Sequence, residues 1–229
     1  MSYGTLILGE SGSGKTCSLR NLDPKKTLLI QPIRKPLPFR SKDWRETTHK
    51  GDGGNIVVTD DPARILRLMA AAPHDVIIID DMQYLLANMY MKARDVKGFD
   101  KFTAIGGAGF DVAKAASELA PHKRVYVLSH TTTDEFGNVR VKTLGRLLDD
   151  KIVVEGLFTT VLRTSVDGGK YYFLTHNNGR DTVKSPLGMF DADQIPNDLA
   201  EVDQTICDYY GITTGAEEVA DTTNTKDEK

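Results

Sequence analysis

TLILGESGSGKT, residues 5 to 16, decides the fold of this 229-residue chain. Within it Gly9, Gly14, Lys15 and Thr16 fill the G-x-x-x-x-G-K-[ST] spacing of a phosphate-binding loop. The residue types answer to the chemistry of a polyphosphate. Glycines let the backbone turn its N–H groups inward around the anion, Lys15 adds a full positive charge, and Thr16 offers a hydroxyl to Mg2+, which prefers oxygen ligands. From average composition the pattern arises by chance in about one sequence of this length in a hundred. Context lowers that figure, because an apolar strand pattern precedes the motif and a helical pattern, Lys15 to Arg20, follows it. The expected nucleotide contacts are Gly9, Glu10, Ser11, Gly12, Ser13, Gly14, Lys15, Thr16 and Cys17, with ATP as ligand and Mg2+ as its metal.

A phosphate loop needs a second element, a buried strand ending in an acid that serves the metal. Val76, Ile77, Ile78 and Ile79 followed by Asp80 supply it, so the expected metal residues are Thr16 and Asp80. Asp81 has two readings: a general base for an attacking water, acting with Lys15 as the catalytic pair, or a cap for the helix beginning at Met82. Another strand pattern, Arg124 to Ser129, ends in Ser129 and His130, a position from which a polar side chain can sense the terminal phosphate in an open α/β sheet, set against the plainer reading of a structural histidine. Arg140, Arg146 and Arg163 are candidates for an arginine finger reaching a neighbouring subunit's nucleotide, set against the plainer reading of solvated arginines.

Around these motifs, short β-branched runs alternate with helical patterns, the habit of a mainly parallel sheet covered by helices. Strands are expected at Gly4 to Leu8, Thr27 to Gln31, Asn55 to Thr59, Val76 to Asp80, Arg124 to Ser129 and Leu157 to Thr164. Helices are expected after the Asp61 cap with Pro62 in the first turn, over Met82 to Ala93, and from Leu199 to Tyr210 with Gly211 as the stop. Residues 1–211 read as one domain, and 212–229 as an acidic tail with too little apolar surface to order itself. Cys17 and Cys207 are too few and too far apart for a disulfide framework, and the apolar stretch Thr5 to Leu8 is too short for a signal peptide, so the expected compartment is the cytoplasm. No apolar run approaches the roughly 20 residues of a membrane span. A net charge of -3 confines any nucleic-acid site to a local basic patch.

The ordered set LILGESGSGKT, KPLPFR, NIVVTDDP, VIIIDDMQYL, VLSH, GLFTTVLRT and NNGRDTVKSP resembles phage and prophage ATP-binding proteins of the RecA-like or AAA type, including the shortened RecA-like single-strand annealing proteins. The resemblance implies an α/β fold, a RecA-like P-loop NTPase core with a C-terminal β-hairpin region, in which Lys15, Thr16 and Asp80 serve nucleotide and metal. It also implies a Mg-dependent ATPase of phage DNA recombination, with single-stranded DNA as partner and self-association into a ring or filament, working in the host cytoplasm. One departure stands out. RecA-type proteins commonly carry a catalytic glutamate after the second strand, whereas Thr27 to Gln31 here ends in Gln31 and Pro32.

Candidate DNA contacts lie in two basic regions. The first, containing Lys35, Phe39, Arg40, Trp44 and Arg45, interleaves cations with aromatics as single-strand binding requires; packing of Phe39 and Trp44 onto the domain as a structural arm is the other reading. The second is a hairpin turning at Phe136 to Val139 and carrying Arg140 and Lys142, within the polar region Thr131 to Lys151; the loop His176 to Lys184 is equally polar. Two rivals to a DNA-dependent ATPase remain open at this point, a small-molecule kinase and an ATP-binding regulator without turnover.

Overall fold

The apolar runs become strands because each has somewhere to bury both of its faces. The computed structural model describes residues 1–48, 52–144 and 152–213, and Arg146, Lys151 and the tail from 214 onward lie outside them. In chain order the strands are β1 (Tyr3–Leu8), β2 (Thr27–Gln31), β3 (Ile56–Val58), β4 (Val76–Ile79), β5 (Arg124–Ser129), β6 (Thr131–Thr133), β7 (Val139–Val141), β8 (Thr160–Asp167), β9 (Lys170–Leu174) and β10 (Gln194–Pro196). The α-helices are α1 (Pro62–Ala71), α2 (Met82–Lys92), α3 (Asp100–Ala115) and α4 (Leu199–Tyr210).

Among the described residues, eight strands form one sheet in the order β10-β9-β8-β1-β5-β4-β2-β3. The pairings from β8 across to β3 are parallel, and β9 and β10 continue the sheet antiparallel. The chain is thus an α/β protein with a mostly parallel sheet. Period-two alternation divides the strand residues between two cores. Leu6, Leu8, Ile77, Ile79, Val125 and Val127 face α1, α2 and α3, which contribute Ile65, Met69, Leu85 and Val112. Ile7, Leu29, Ile78, Tyr126 and Leu162 face the other way, toward Leu19 after the loop and Leu199, Val202 and Ile206 of α4.

Three expected helices form where their signals stood. Asp61 accepts from the Ala63 N–H at 3.0 Å ahead of Pro62, and Gly211 closes α4 at φ 63. Asp61→Ala should cost about 1 kcal/mol, the usual worth of an N-cap, read as a shift of the denaturation midpoint with unchanged slope. Two boundaries differ from expectation. The helix expected after the phosphate loop is a 3₁₀ turn over Thr16–Asn21, soon followed by Pro24, which cannot continue a helix. The strand expected at Leu157 begins at Thr160, because Val154–Leu157 close a 3₁₀ turn first. The hairpin at Phe136 is present as β6 and β7, a two-stranded ribbon springing directly from the end of β5. No helix among the described residues is long and apolar enough to cross a membrane.

This topology sets β5 between β1 and β4, with Leu8 opposite Ser129 and Ile79 opposite Val127. The three strands end side by side, so Gly9, Asp80 and His130 leave the same edge of the sheet, where open α/β sheets place their ligands.

Candidate nucleotide-binding site

The loop between β1 and the 3₁₀ turn wraps around its own lysine. Lys15 Nζ donates to the carbonyls of Gly9 and Glu10, each at 2.8 Å, and its side chain is almost wholly buried. Gly12 and Gly14 hold φ values of 77 and 100, the left-handed region that glycine occupies without penalty. Gly9 is needed for closeness instead: a Cβ there would lie 1.9 Å from Thr164 Oγ1 of β8 and 2.6 Å from Ser13 Oγ. Thr164 fastens the loop, donating to Leu8 O at 3.2 Å and sharing a 2.6 Å hydrogen bond with Ser13 Oγ. Nothing in the sequence marked Thr164, since the pairing of β8 with β1 is a tertiary event.

The acidic strand arrives as expected. Thr16 Oγ1 donates to Asp80 Oδ1 at 2.9 Å, bringing the two expected metal residues together. Asp80 is 1% exposed, and its Oδ2 is buried without a hydrogen-bond partner among the described residues. An unfilled carboxylate lone pair beside a hydroxyl suits Mg2+, which takes few protein oxygens and completes its shell with phosphate and water. Burial pushes the Asp80 carboxyl above its usual pKa, against the pull of Lys35.

Asp81 is the single non-glycine residue with positive φ, 67, among the described residues. It stands at the N-cap position of α2 but makes no capping hydrogen bond there. Its carboxylate instead ion-pairs with Lys35 through Oδ2 and lies 3.4 Å from His130 Nε2 through Oδ1. Of the two readings of Asp81, the side-chain cap is therefore absent. A left-handed aspartate costs about 1–3 kcal/mol, strain that commonly gathers at functional positions. His130 packs edge-on against Tyr84 with ring centroids 6.0 Å apart; burial, then Lys15, holds its imidazole below the usual pKa and so neutral. Burial likewise draws the Lys15 ammonium down, while in Lys35 the opposing effect of burial is outweighed by Asp80 and Asp81, which hold it up.

These groups line a cavity of about 650 Å³ bounded by the loop, Asp81, His130, Tyr171 and the segment carrying Ile33, Lys35, Pro36 and Pro38. Of the nine expected nucleotide contacts, Ser11, Gly12, Gly14, Lys15, Thr16 and Cys17 line it, whereas Gly9, Glu10 and Ser13 do not, and neither does Asp80. Ser129 contributes through its backbone, accepting from Gly9 N at 3.2 Å, whereas His130 faces the space itself. A smaller cavity of about 280 Å³ lies elsewhere, lined by Val139 and Arg140 of the β6–β7 hairpin together with Glu155 and Arg180.

The candidate DNA residues separate. Lys35 is drawn into the cavity wall, away from Arg40 and Arg45, which are exposed. Trp44 is 8% exposed and meets Phe39 edge-on at 6.0 Å within the α4-side core, so that ring serves as the structural arm. Arg140 and Lys142 are exposed on the hairpin, and Lys142 N donates to His130 O at 2.7 Å. Arg163 pairs with the buried Asp181 at 3.1 Å, and Arg140 lies 3.4 Å from Asp134. Gln31 is buried, its amide 3.5 Å from Lys35 O. A scan against protein-family models gives no match, and a search of curated proteins finds no match either.

Proposed function

We propose that this chain binds ATP with Mg2+ and hydrolyses it as a RecA-like ATPase of phage DNA metabolism, acting in the cytoplasm on single-stranded DNA as a self-associated ring or filament. The observation that supports the nucleotide reading is the hydrogen bond from Thr16 to the buried Asp80, whose second oxygen has no hydrogen bond, behind a cavity that Lys15 and Thr16 line. Backbone N–H groups of the loop and Lys15 would receive the β- and γ-phosphates, and Thr16 and Asp80 would hold the metal. Bound there, Mg2+ would supply charge neutralisation to the phosphates. Water attacks the terminal phosphorus, the bond to the bridging oxygen breaks, and the proton leaving the water passes to Asp81, which His130 orients.

The DNA half of the reading is supported by a physical connection. The exposed cations Arg140 and Lys142 sit on a ribbon that begins one residue after His130, and Lys142 is tied to His130 by a backbone hydrogen bond. A strand of phosphates held there bears on the group that touches Asp81.

ATP turnover with Mg2+, measured with and without single-stranded DNA, tests the reading, with Lys15→Ala as the blank. Stimulation by DNA that disappears in the variant is the expected result. Lys15→Ala itself should weaken triphosphate binding on the order of 10- to 100-fold, through loss of a charge-assisted contact worth about 1.5–3 kcal/mol. Unchanged affinity removes the site assignment; ATP bound without DNA stimulation leaves a kinase or a regulator without turnover.

A further inference from the structure

We propose that Lys35 is the residue that tells a nucleoside triphosphate from a diphosphate, parked on the Asp80–Asp81 pair when the site is free and transferred to the terminal phosphate when a triphosphate binds. The inference rests on the nucleotide-binding reading above.

Two adjacent carboxylates, with side chains 0% and 5% exposed, leave the end of β4. Buried like charges need a counter-ion. Lys35 provides it, pairing with Asp81 and standing 3.9 Å from Asp80 Oδ2. Its own side chain is 37% exposed, so the ammonium sits at the mouth of the acidic pair rather than beneath it. Among the described residues that line the cavity, Lys15 and Lys35 are the two with permanent positive charge. Arg140 and Arg163, the described candidates for an arginine finger, are engaged with Asp134 and Asp181.

The backbone around Lys35 is anchored while its side chain is long. Asn88 Nδ2 donates to Pro32 O at 3.3 Å, Gln31 reaches Lys35 O, and Pro36 fixes the next φ. Four rotatable bonds then let the ammonium move without the segment moving. Charge balance sets the direction. With a divalent cation on Asp80, Lys35 would be left to Asp81 alone, and the terminal phosphate would be the new anion that draws it away. Departure of Lys35 also uncovers Asp81 Oδ2, so the same movement that registers the third phosphate frees the base that acts on it. A diphosphate offers no group at that place, and Lys35 stays with Asp81.

Binding of a non-hydrolysable ATP analogue and of ADP, each with Mg2+, by wild type, Lys35→Ala, Lys35→Arg and Lys15→Ala tests this without reference to turnover. Lys35→Ala should lose affinity for the triphosphate on the order of 10- to 100-fold, the size of one charge-assisted contact, with ADP affinity unchanged. Lys35→Arg should keep the preference, and Lys15→Ala should lose affinity for both nucleotides. Equal losses for both nucleotides in Lys35→Ala, or no loss, overturn the proposal while leaving the binding site in place. Failure of wild type to bind either nucleotide overturns the functional reading, and this inference with it. Should Lys35→Ala not fold with two unpaired acids, Lys35→Ala combined with Asp81→Asn, compared with Asp81→Asn alone, gives the same triphosphate-to-diphosphate ratio.

Discussion

Asp203→Ala should lower the unfolding free energy by about 3–5 kcal/mol, the cost of leaving a buried charge without its partner. Arg124 opens β5 with a side chain 3% exposed, and its Nε and Nη2 donate to the two carboxylate oxygens of Asp203 on α4, each at 3.0 Å. Tyr126, two residues on and so on the same face of the sheet, donates to the same carboxylate at 2.6 Å. One aspartate therefore satisfies two buried groups of the central strand and fastens α4 across it. Burial works against charge on Arg124, yet Asp203 keeps the guanidinium above its usual pKa; beside it, burial pushes the Cys207 thiol up to about 11. For a chain of this size the loss corresponds to a fall in Tm of roughly 6–20 °C. The penalty lies in the orphaned cation rather than in the pair. Arg124→Met, Tyr126→Phe and Asp203→Leu together should accordingly recover most of the stability, as buried ion pairs replaced by apolar groups often do. A thermal melt of Asp203→Ala within about 2 °C of wild type, less than 1 kcal/mol at this size, contradicts the account.

What the sequence made legible follows physical range. Val76 to Ile79 and Arg124 to Ser129 announce themselves as fully buried parallel strands because every residue is apolar or tightly packed, and Asp61-Pro62 and Gly211 punctuate helices through contacts a few residues long. The loop motif carries its chemistry in its own spacing. α3 escaped notice because Gly106, Gly107 and Gly109 interrupt its propensity, although burial of Gly106 and Gly109 shows them on its packed side. β9 and β10 escaped because alternation in KYYFL is weak and QIP is too short to register a period. The site divides in the same way. Lys15, Thr16 and Asp80 stand out in the sequence, and folding joins Thr16 to Asp80, but Thr164, Tyr171 and the place of Lys35 arise from β8, β9 and the segment after β2 meeting the loop, pairings that no local pattern encodes. Lys35 looked like one cation in a basic run; folding alone shows that its partners are Asp80 and Asp81.

Gly9→Ala should reduce triphosphate affinity by more than about 100-fold while leaving the sheet intact. The added methyl would meet Thr164 Oγ1 at 1.9 Å and Ser13 Oγ at 2.6 Å, far inside contact distance. Ser13 can rotate, but Thr164 is held by Leu8 O on the strand next door, so the loop must move instead. Overpacking of this kind costs about 3 kcal/mol at its upper end, and about 1.4 kcal/mol is tenfold in affinity. The displacement carries Lys15 with it, because Lys15 is anchored on the Gly9 and Glu10 carbonyls. Gly12 provides the contrast. Its φ of 77 disfavours a side chain, yet nothing lies within 4 Å of an added Cβ, so Gly12→Ala bears only the backbone cost of about 1–2 kcal/mol. Thr164→Ala should restore much of the affinity lost in Gly9→Ala, since removal of Oγ1 leaves the Thr164 Cβ, 3.2 Å away, as the nearest atom of that residue. Titration of a fluorescent ATP analogue into the single and double variants checks both steps. Affinity unchanged in Gly9→Ala means that the loop tolerates a shift away from β8; a loss that Thr164→Ala cannot repair means that the methyl obstructs the phosphates directly rather than displacing the loop.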